Sequence, residues 1–67
     1  MTDLQELNRV IDGTGIKKQK IAETLGISKQ TLTNKLNGRS PFQVAEIRPL
    51  CELLGIDAAL RDTIFLS

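Results

Sequence analysis

Tryptophan, tyrosine and histidine are absent from this chain of 67 residues, and cysteine occurs once. Each gap removes a class of function. With Phe42 and Phe65 as its only aromatics, the chain lacks the stacking platform by which proteins grip single strands or RNA loops. With no histidine and no second cysteine to join Cys51, neither a soft metal site nor an internal disulfide can be assembled. Cys51 instead falls four residues after Ile47 and reads as a small buried apolar group. No nucleophile stands beside a base and no glycine-rich loop could cradle a phosphate, so the expectation is no enzyme, no cofactor and no small-molecule substrate. No apolar run approaches the roughly 20 residues that cross a bilayer. The acidic opening, with Asp3 and Glu6, is unlike a signal peptide. A single domain over residues 1–67 in a reducing, cytoplasmic setting is expected, its core supplied by aliphatic packing.

A strong net charge is also missing, since the total is only +1. The distribution is uneven. Between Ile16 and Ser40, Lys17, Lys18, Lys20, Lys29, Lys35 and Arg39 face Glu23 alone, a net of +5. The rest sets Arg9, Arg48 and Arg61 against seven acids, a net of −4. Such a molecule presents one basic face to a polyanion and repels it elsewhere.

What the chain does contain is aliphatic residues at helical spacing, broken by glycine and proline. Thr2 and Gln5 suit a capping box that opens a first helix near Asp3. Leu4, Leu7, Val10 and Ile11 form its apolar stripe, and Gly13 and Gly15 end it. A second helix is predicted over about Lys17 to Leu25, with Ile21, Ala22 and Leu25 inward and Gly26 as its stop. Ser28 is a good cap for a third, Lys29 to Asn37, with Leu32 and Leu36 inward and Gly38 closing it. A fourth, about Val44 to Leu54, carries Pro49 where a backbone donor is lost. It is either one helix with a distorted first turn, the reading preferred, or a helix that starts near Arg48. Asp57 caps a fifth segment, Ala58 to about Phe65. No stretch alternates with period two for long enough to be a strand, so the fold class is all-α, a compact bundle of five short helices.

The stretch Lys18 to Asn37 is the most constrained. Where two helices cross closely, a large side chain at residue 22 would push their axes apart, and Ala22 is small. Four residues later the turn needs positive φ, which Gly26 supplies. Ile21, Leu25, Ile27, Leu32 and Leu36 then pack beneath both helices and hold the second of them out from the body. This segment resembles the helix-turn-helix of the lambda-repressor/Cro-like family of phage and bacterial regulators, also called Cro/C1-type or XRE-like. The run GISKQTLTNKLNG is similar to that family's turn, recognition helix and following Asn-Gly, and the five-helix order extends the likeness over nearly the whole chain. One departure stands out: an apolar residue is common in the family where this chain has Lys35, and Leu36 is expected to take that role.

The resemblance implies a sequence-specific binder of double-stranded DNA whose third helix enters the major groove. It places Ser28, Lys29, Gln30, Thr31 and Asn34 at groove-facing positions, with Thr33 nearby. Their chemistry agrees, because Gln30 and Asn34 can pair bidentately with adenine, Lys29 can donate to guanine, and the Thr31 methyl can pack on thymine. Lys17 and Lys18 at the start of helix two, and Lys35, Asn37, Arg39 and Ser40 at the end of helix three and just after it, are the implied phosphate contacts, with Lys20 and Lys35 also adding charge. Two copies on a near-palindromic operator would be needed for useful specificity, and the segment Leu54 to Leu66 is the candidate contact for a homodimer. Leu60, Ile64 and Phe65 could instead fold back over the first helix, and the two roles are compatible. Phe42 reads as a plug over the base of helix four. A protein-interaction module on the same scaffold, antitoxin-like or an anti-repressor partner that engages the acidic faces of helices one and four, is the alternative function.

Overall fold

The computed structural model describes residues 2–66, which hold five α-helices and no strand. They are α1 (Leu4–Thr14), α2 (Lys18–Leu25), α3 (Lys29–Leu36), α4 (Val44–Leu54) and α5 (Ala58–Phe65).

Local chemistry sets most boundaries. Asp3 caps α1 by accepting the Glu6 N–H at 3.1 Å, which moves the start one residue past the expected Thr2 cap; a carboxylate at this position outperforms threonine. Gly13 lies inside α1, and the helix ends at Gly15 in the left-handed region, φ 71°. An exposed helical glycine costs only about 1 kcal/mol, too little to stop a helix that packs well on its other face. Asp57 caps α5 by accepting the Leu60 N–H at 2.8 Å.

Helix α4 is one continuous element with Pro49 inside it. The ring leaves the carbonyl of Ala45 without its usual donor, but Ala45 is exposed, so water can reach that acceptor. Its start is fixed by Glu46, whose N–H donates to the Gln43 carbonyl at 2.9 Å and whose side chain reaches back to the same residue. The Glu46 carboxylate accepts the Gln43 N–H at 2.8 Å.

Each helix contributes one wholly buried side chain to the core, namely Leu7, Ile21, Leu32, Leu50 and Ile64. Burying each of them contributes about 1.5–3 kcal/mol. Helix α2 lies at the centre, packed on α3 and α4, while α1 lies against α4 and α5. The C-terminal segment does fold back: Ile64 is core, and its carbonyl accepts the Asp3 N–H at 2.6 Å. Phe65 meets Phe42 edge-on, with ring centroids 5.9 Å apart. Cys51 is a buried free thiol; burial pushes its pKa up, against the opposing charge of Arg61, which keeps it protonated and unreactive. Among the described residues, no helix is long and apolar enough to cross a membrane.

Candidate nucleic-acid interface

The turn between α2 and α3 is built from backbone hydrogen bonds. Gly26, at φ 72°, donates to the Glu23 carbonyl at 3.1 Å, and Ile27 donates to the Ala22 carbonyl at 3.0 Å. This pair of bonds satisfies the last carbonyls of α2 and reverses the chain within two residues. Ala22, only 1 % exposed, sits where the two helices meet. Ser28 then starts α3, its Oγ accepting the Thr31 N–H at 3.0 Å and donating to Thr31 Oγ1 at 2.8 Å.

Helix α3 buries Leu32, Lys35 and Leu36 and turns its other side outward. Ser28, Lys29 and Gln30 are exposed, while Thr31, Thr33 and Asn34 are half-buried. Gln30 Nε2 donates to Asn34 Oδ1 at 3.1 Å, so the two amides lie together one turn apart. Thr33 turns its hydroxyl back onto the Lys29 carbonyl at 3.0 Å. The Thr33 hydroxyl has thereby used its donor hydrogen and leaves mainly a methyl group to offer, whereas Thr31, which accepts from Ser28, keeps its own O–H to donate beside its methyl.

Helix α2 begins at Lys17 without a side-chain cap. The first N–H groups of the helix therefore stay free for an anion, beside the exposed Lys17, Lys18 and Lys20. Beyond α3, Asn37 and Arg39 are exposed and Ser40 is half-buried. Gly38 (φ 81°) donates to the Lys35 carbonyl and Arg39 to the Asn34 carbonyl, at 3.2 and 2.9 Å. The Arg39 backbone is thereby tied to α3 while its side chain reaches solvent.

Ion pairing divides the bases into two groups. Arg9 pairs with Glu6, Arg48 with Glu52 and Arg61 with Asp62. Lys17, Lys18, Lys20, Lys29 and Arg39 make no ion pair among the described residues. Among the described residues, uncompensated basic side chains are thus confined to α2 with its N-cap, α3 and the loop that follows.

Lys35 corrects the expectation from sequence. It is buried, 6 % exposed, and is not available to a phosphate. Its ammonium lies 3.0 Å from Glu46 Oε1, donates to the Pro41 carbonyl at 2.9 Å and sits 5.8 Å from the centre of the Phe42 ring. Its methylene stem fills the apolar position alongside Leu36 rather than leaving that role to Leu36 alone. Burial pushes the Glu46 carboxyl up, but the Gln43 N–H, the Lys35 hydrogen bond and the Lys35 charge outweigh it and leave the pKa lowered.

Two supporting residues escape a reading of the sequence. One is Glu46, which the Gln-x-x-Glu spacing of a capping box could have revealed. The other is Asn8, whose Nδ2 donates to the Leu4 carbonyl at 2.9 Å and to the Leu36 carbonyl at 3.4 Å, joining α1 to the end of α3. Nothing local in the sequence signals that second hydrogen bond.

Two short helices joined by a glycine turn, the second carrying amides and lysine outward, define a helix-turn-helix protein. A family model described as a helix-turn-helix domain matches residues 5–64, and the chain belongs to that family. No curated protein and no solved structure gives a significant match.

Proposed function

We propose that the chain is a sequence-specific transcriptional regulator of the phage or prophage repressor/Cro type, acting in the cytoplasm of a bacterial host. Helix α3 enters the major groove of an operator, where Gln30 and Asn34 read adenine, Lys29 reads guanine, and Ser28, Thr31 and Thr33 complete the surface. Lys17, Lys18, Asn37, Arg39 and Ser40 hold the phosphates on either side and set the register. An operator that overlaps a promoter would then exclude polymerase. The single supporting observation is the segregation of charge: bases outside the motif are paired with acids, and the exposed bases on it, unlike the buried Lys35, have no acidic partner among the described residues. An enzymatic role has no support in the side chains that line this surface, and residues 1–67 act as one unit.

One motif reads only a few base pairs, so we place two copies on a near-palindromic site, with half-sites about 34 Å apart or a multiple of that. Within Leu54 to Leu66, side-chain exposure supports the outer end of the segment as the interface. Leu54, Ile56 and Ile64 are core, whereas Leu66 is 77 % exposed. Leu66 lines a groove with Phe65 and with Val44 and Ile47 of α4. Val44 and Leu66 are the exposed large apolar side chains among the described residues. The same groove carries Arg48, Arg61 and Asp62, a mixture of signs that can complement itself across a two-fold axis.

The deciding experiment is selection from a random pool of DNA duplexes. A recovered motif with two-fold symmetry and half-sites a helical turn apart is expected. A pool that remains unenriched would overturn the reading in favour of a partner protein.

A further inference from the structure

We infer that Lys35 is a positioning residue: its buried ammonium holds the loop from Asn37 to Gln43 so that the phosphate-contacting side chains stand at a fixed distance from the base-reading amides of α3. The inference deepens the proposed DNA-binding function and rests on it.

Helix α3 has its broad helix packing with α2, not with α4. The chain between α3 and α4 is also poor in backbone support. Arg39 is the last residue of the loop to donate to a backbone carbonyl before α4; neither Ser40 nor Phe42 does so, and Pro41 has no N–H. Lys35 fills this gap. An ammonium has three donor hydrogens, and here it reaches the Pro41 carbonyl at 2.9 Å and the Glu46 carboxylate at 3.0 Å. It also faces the Phe42 ring at 5.8 Å. One side chain from the last turn of α3 therefore binds the loop carbonyl, the loop aromatic and the first turn of α4. Glu46 is fixed in turn, since it also accepts the Gln43 N–H at 2.8 Å.

The consequence for recognition is geometric. Asn34, next to Lys35 in sequence, reads bases; Arg39 and Ser40, inside the pinned loop, hold phosphates. Phosphate contacts set the register of a protein on the duplex, and a loop ordered in advance loses less entropy on binding. A charged residue that touches no DNA thus governs how many phosphates are engaged.

The test compares Lys35→Arg, Glu46→Gln and the double variant Lys35→Met/Glu46→Leu with the wild type. The double variant removes the buried Lys35 charge together with its half-buried Glu46 partner and keeps the volume filled, a replacement that largely desolvated ion pairs often tolerate. In the free protein, hydrogen exchange at the Gly38 and Arg39 amides, which bond the Lys35 and Asn34 carbonyls, should rise about tenfold in the double variant, with α1 and α5 unchanged. On a mixed-sequence DNA duplex, the slope of log K against log salt should fall by about one to two, since each phosphate no longer engaged removes roughly 0.9. Lys35→Arg, which keeps charge and donors, should retain the wild-type slope. Glu46→Gln should flatten the slope slightly. If Glu46→Gln instead tightens binding and steepens the slope, Lys35 is a phosphate ligand held in reserve and the inference is overturned. Unchanged loop exchange in the double variant overturns it as well. A wild-type chain that binds no DNA removes the proposed function, and the exchange measurement then decides the positioning role by itself.

Discussion

Gln30 and Asn34 are hydrogen-bonded to each other at 3.1 Å across one turn of the exposed face of α3. Each orients the other, and the bond leaves the Gln30 carbonyl oxygen and the Asn34 amide hydrogens free for a base edge. Loss of either should therefore loosen the one that remains. Gln30→Ala and Asn34→Ala are each expected to reduce preference for the selected operator over a mixed-sequence duplex by about 1–3 kcal/mol. The double variant should lose less than the sum. Parallel titrations against the two duplexes measure this, and equal losses on both from Gln30→Ala would count against readout by α3.

Lys18 and Arg39 flank the reading helix and have no acidic partner among the described residues. Lys18→Ala or Arg39→Ala should weaken binding to operator and mixed duplex alike. Each should flatten the salt dependence by about 0.9 in log–log slope. Both side chains are exposed, so thermal stability should not change. A loss restricted to the operator would instead make the residue a base reader.

Two glycines give opposite expectations for stability. Gly38 has φ 81°, and a Cβ there would lie 3.3 Å from Leu4 Cδ1. Gly38→Ala should destabilise the fold by about 1–2 kcal/mol, the cost of placing an L side chain in the left-handed region. Gly13 lies within α1 with nothing within 4 Å of an added Cβ. Gly13→Ala should stabilise by about 0.5–1 kcal/mol. Thermal denaturation of the two variants checks both signs, and a gain from Gly38→Ala would refute the strain assigned there.

The contrast between legible and illegible features follows from sequence distance. The turn at Gly26, the caps at Ser28 and Asp57 and the stripe Leu32–Leu36 depend on neighbours within a few residues, and sequence spacing locates them. The start of α1 shifts by one residue because Thr2–Gln5 and Asp3–Glu6 are overlapping cap patterns, and the stronger acceptor wins. Gly13 reads as a stop in sequence because an isolated glycine carries no sign of the packing that holds its helix together. Lys35 reads as a phosphate ligand because lysine is normally solvated. Its burial depends on Pro41, Phe42 and Glu46, which return to α3 only after the loop has turned. The stripe Leu32, Lys35, Leu36 does place residue 35 on the inward side, and that is the signal the sequence carries.

Glu46 also makes stability depend on pH. Its pKa is lowered in the folded chain, so in acid the unfolded chain takes up that proton first. The stabilisation from Glu46 is complete above the ordinary carboxylate range and is lost as pH falls through the lowered folded value. Glu6, paired with Arg9, is shifted in the same direction but is exposed to solvent screening and contributes less. The melting temperature of the wild type should fall between about pH 5 and 3, and Glu46→Gln should show a shallower decline over that window. An identical decline in the two proteins would remove Glu46 from the account.

The groove between α4 and α5 makes a separable prediction about assembly. Val44 is 87 % and Leu66 is 77 % exposed, so changing them should leave the fold intact, and neither belongs to the DNA-facing surface. Exposed apolar side chains lining one concavity signal an interaction surface. A charge placed in a two-fold interface is met by its own copy across the axis, so one substitution introduces repulsion as well as removing apolar packing. Val44→Glu and Leu66→Glu should therefore keep wild-type affinity for a single half-site. They should lose about ten- to a hundredfold on the complete operator, where the second copy otherwise binds at high effective concentration. Sedimentation of protein with each duplex supplies the stoichiometry. If the complete operator still takes up two variant copies with undiminished cooperativity, the interface lies elsewhere on the molecule.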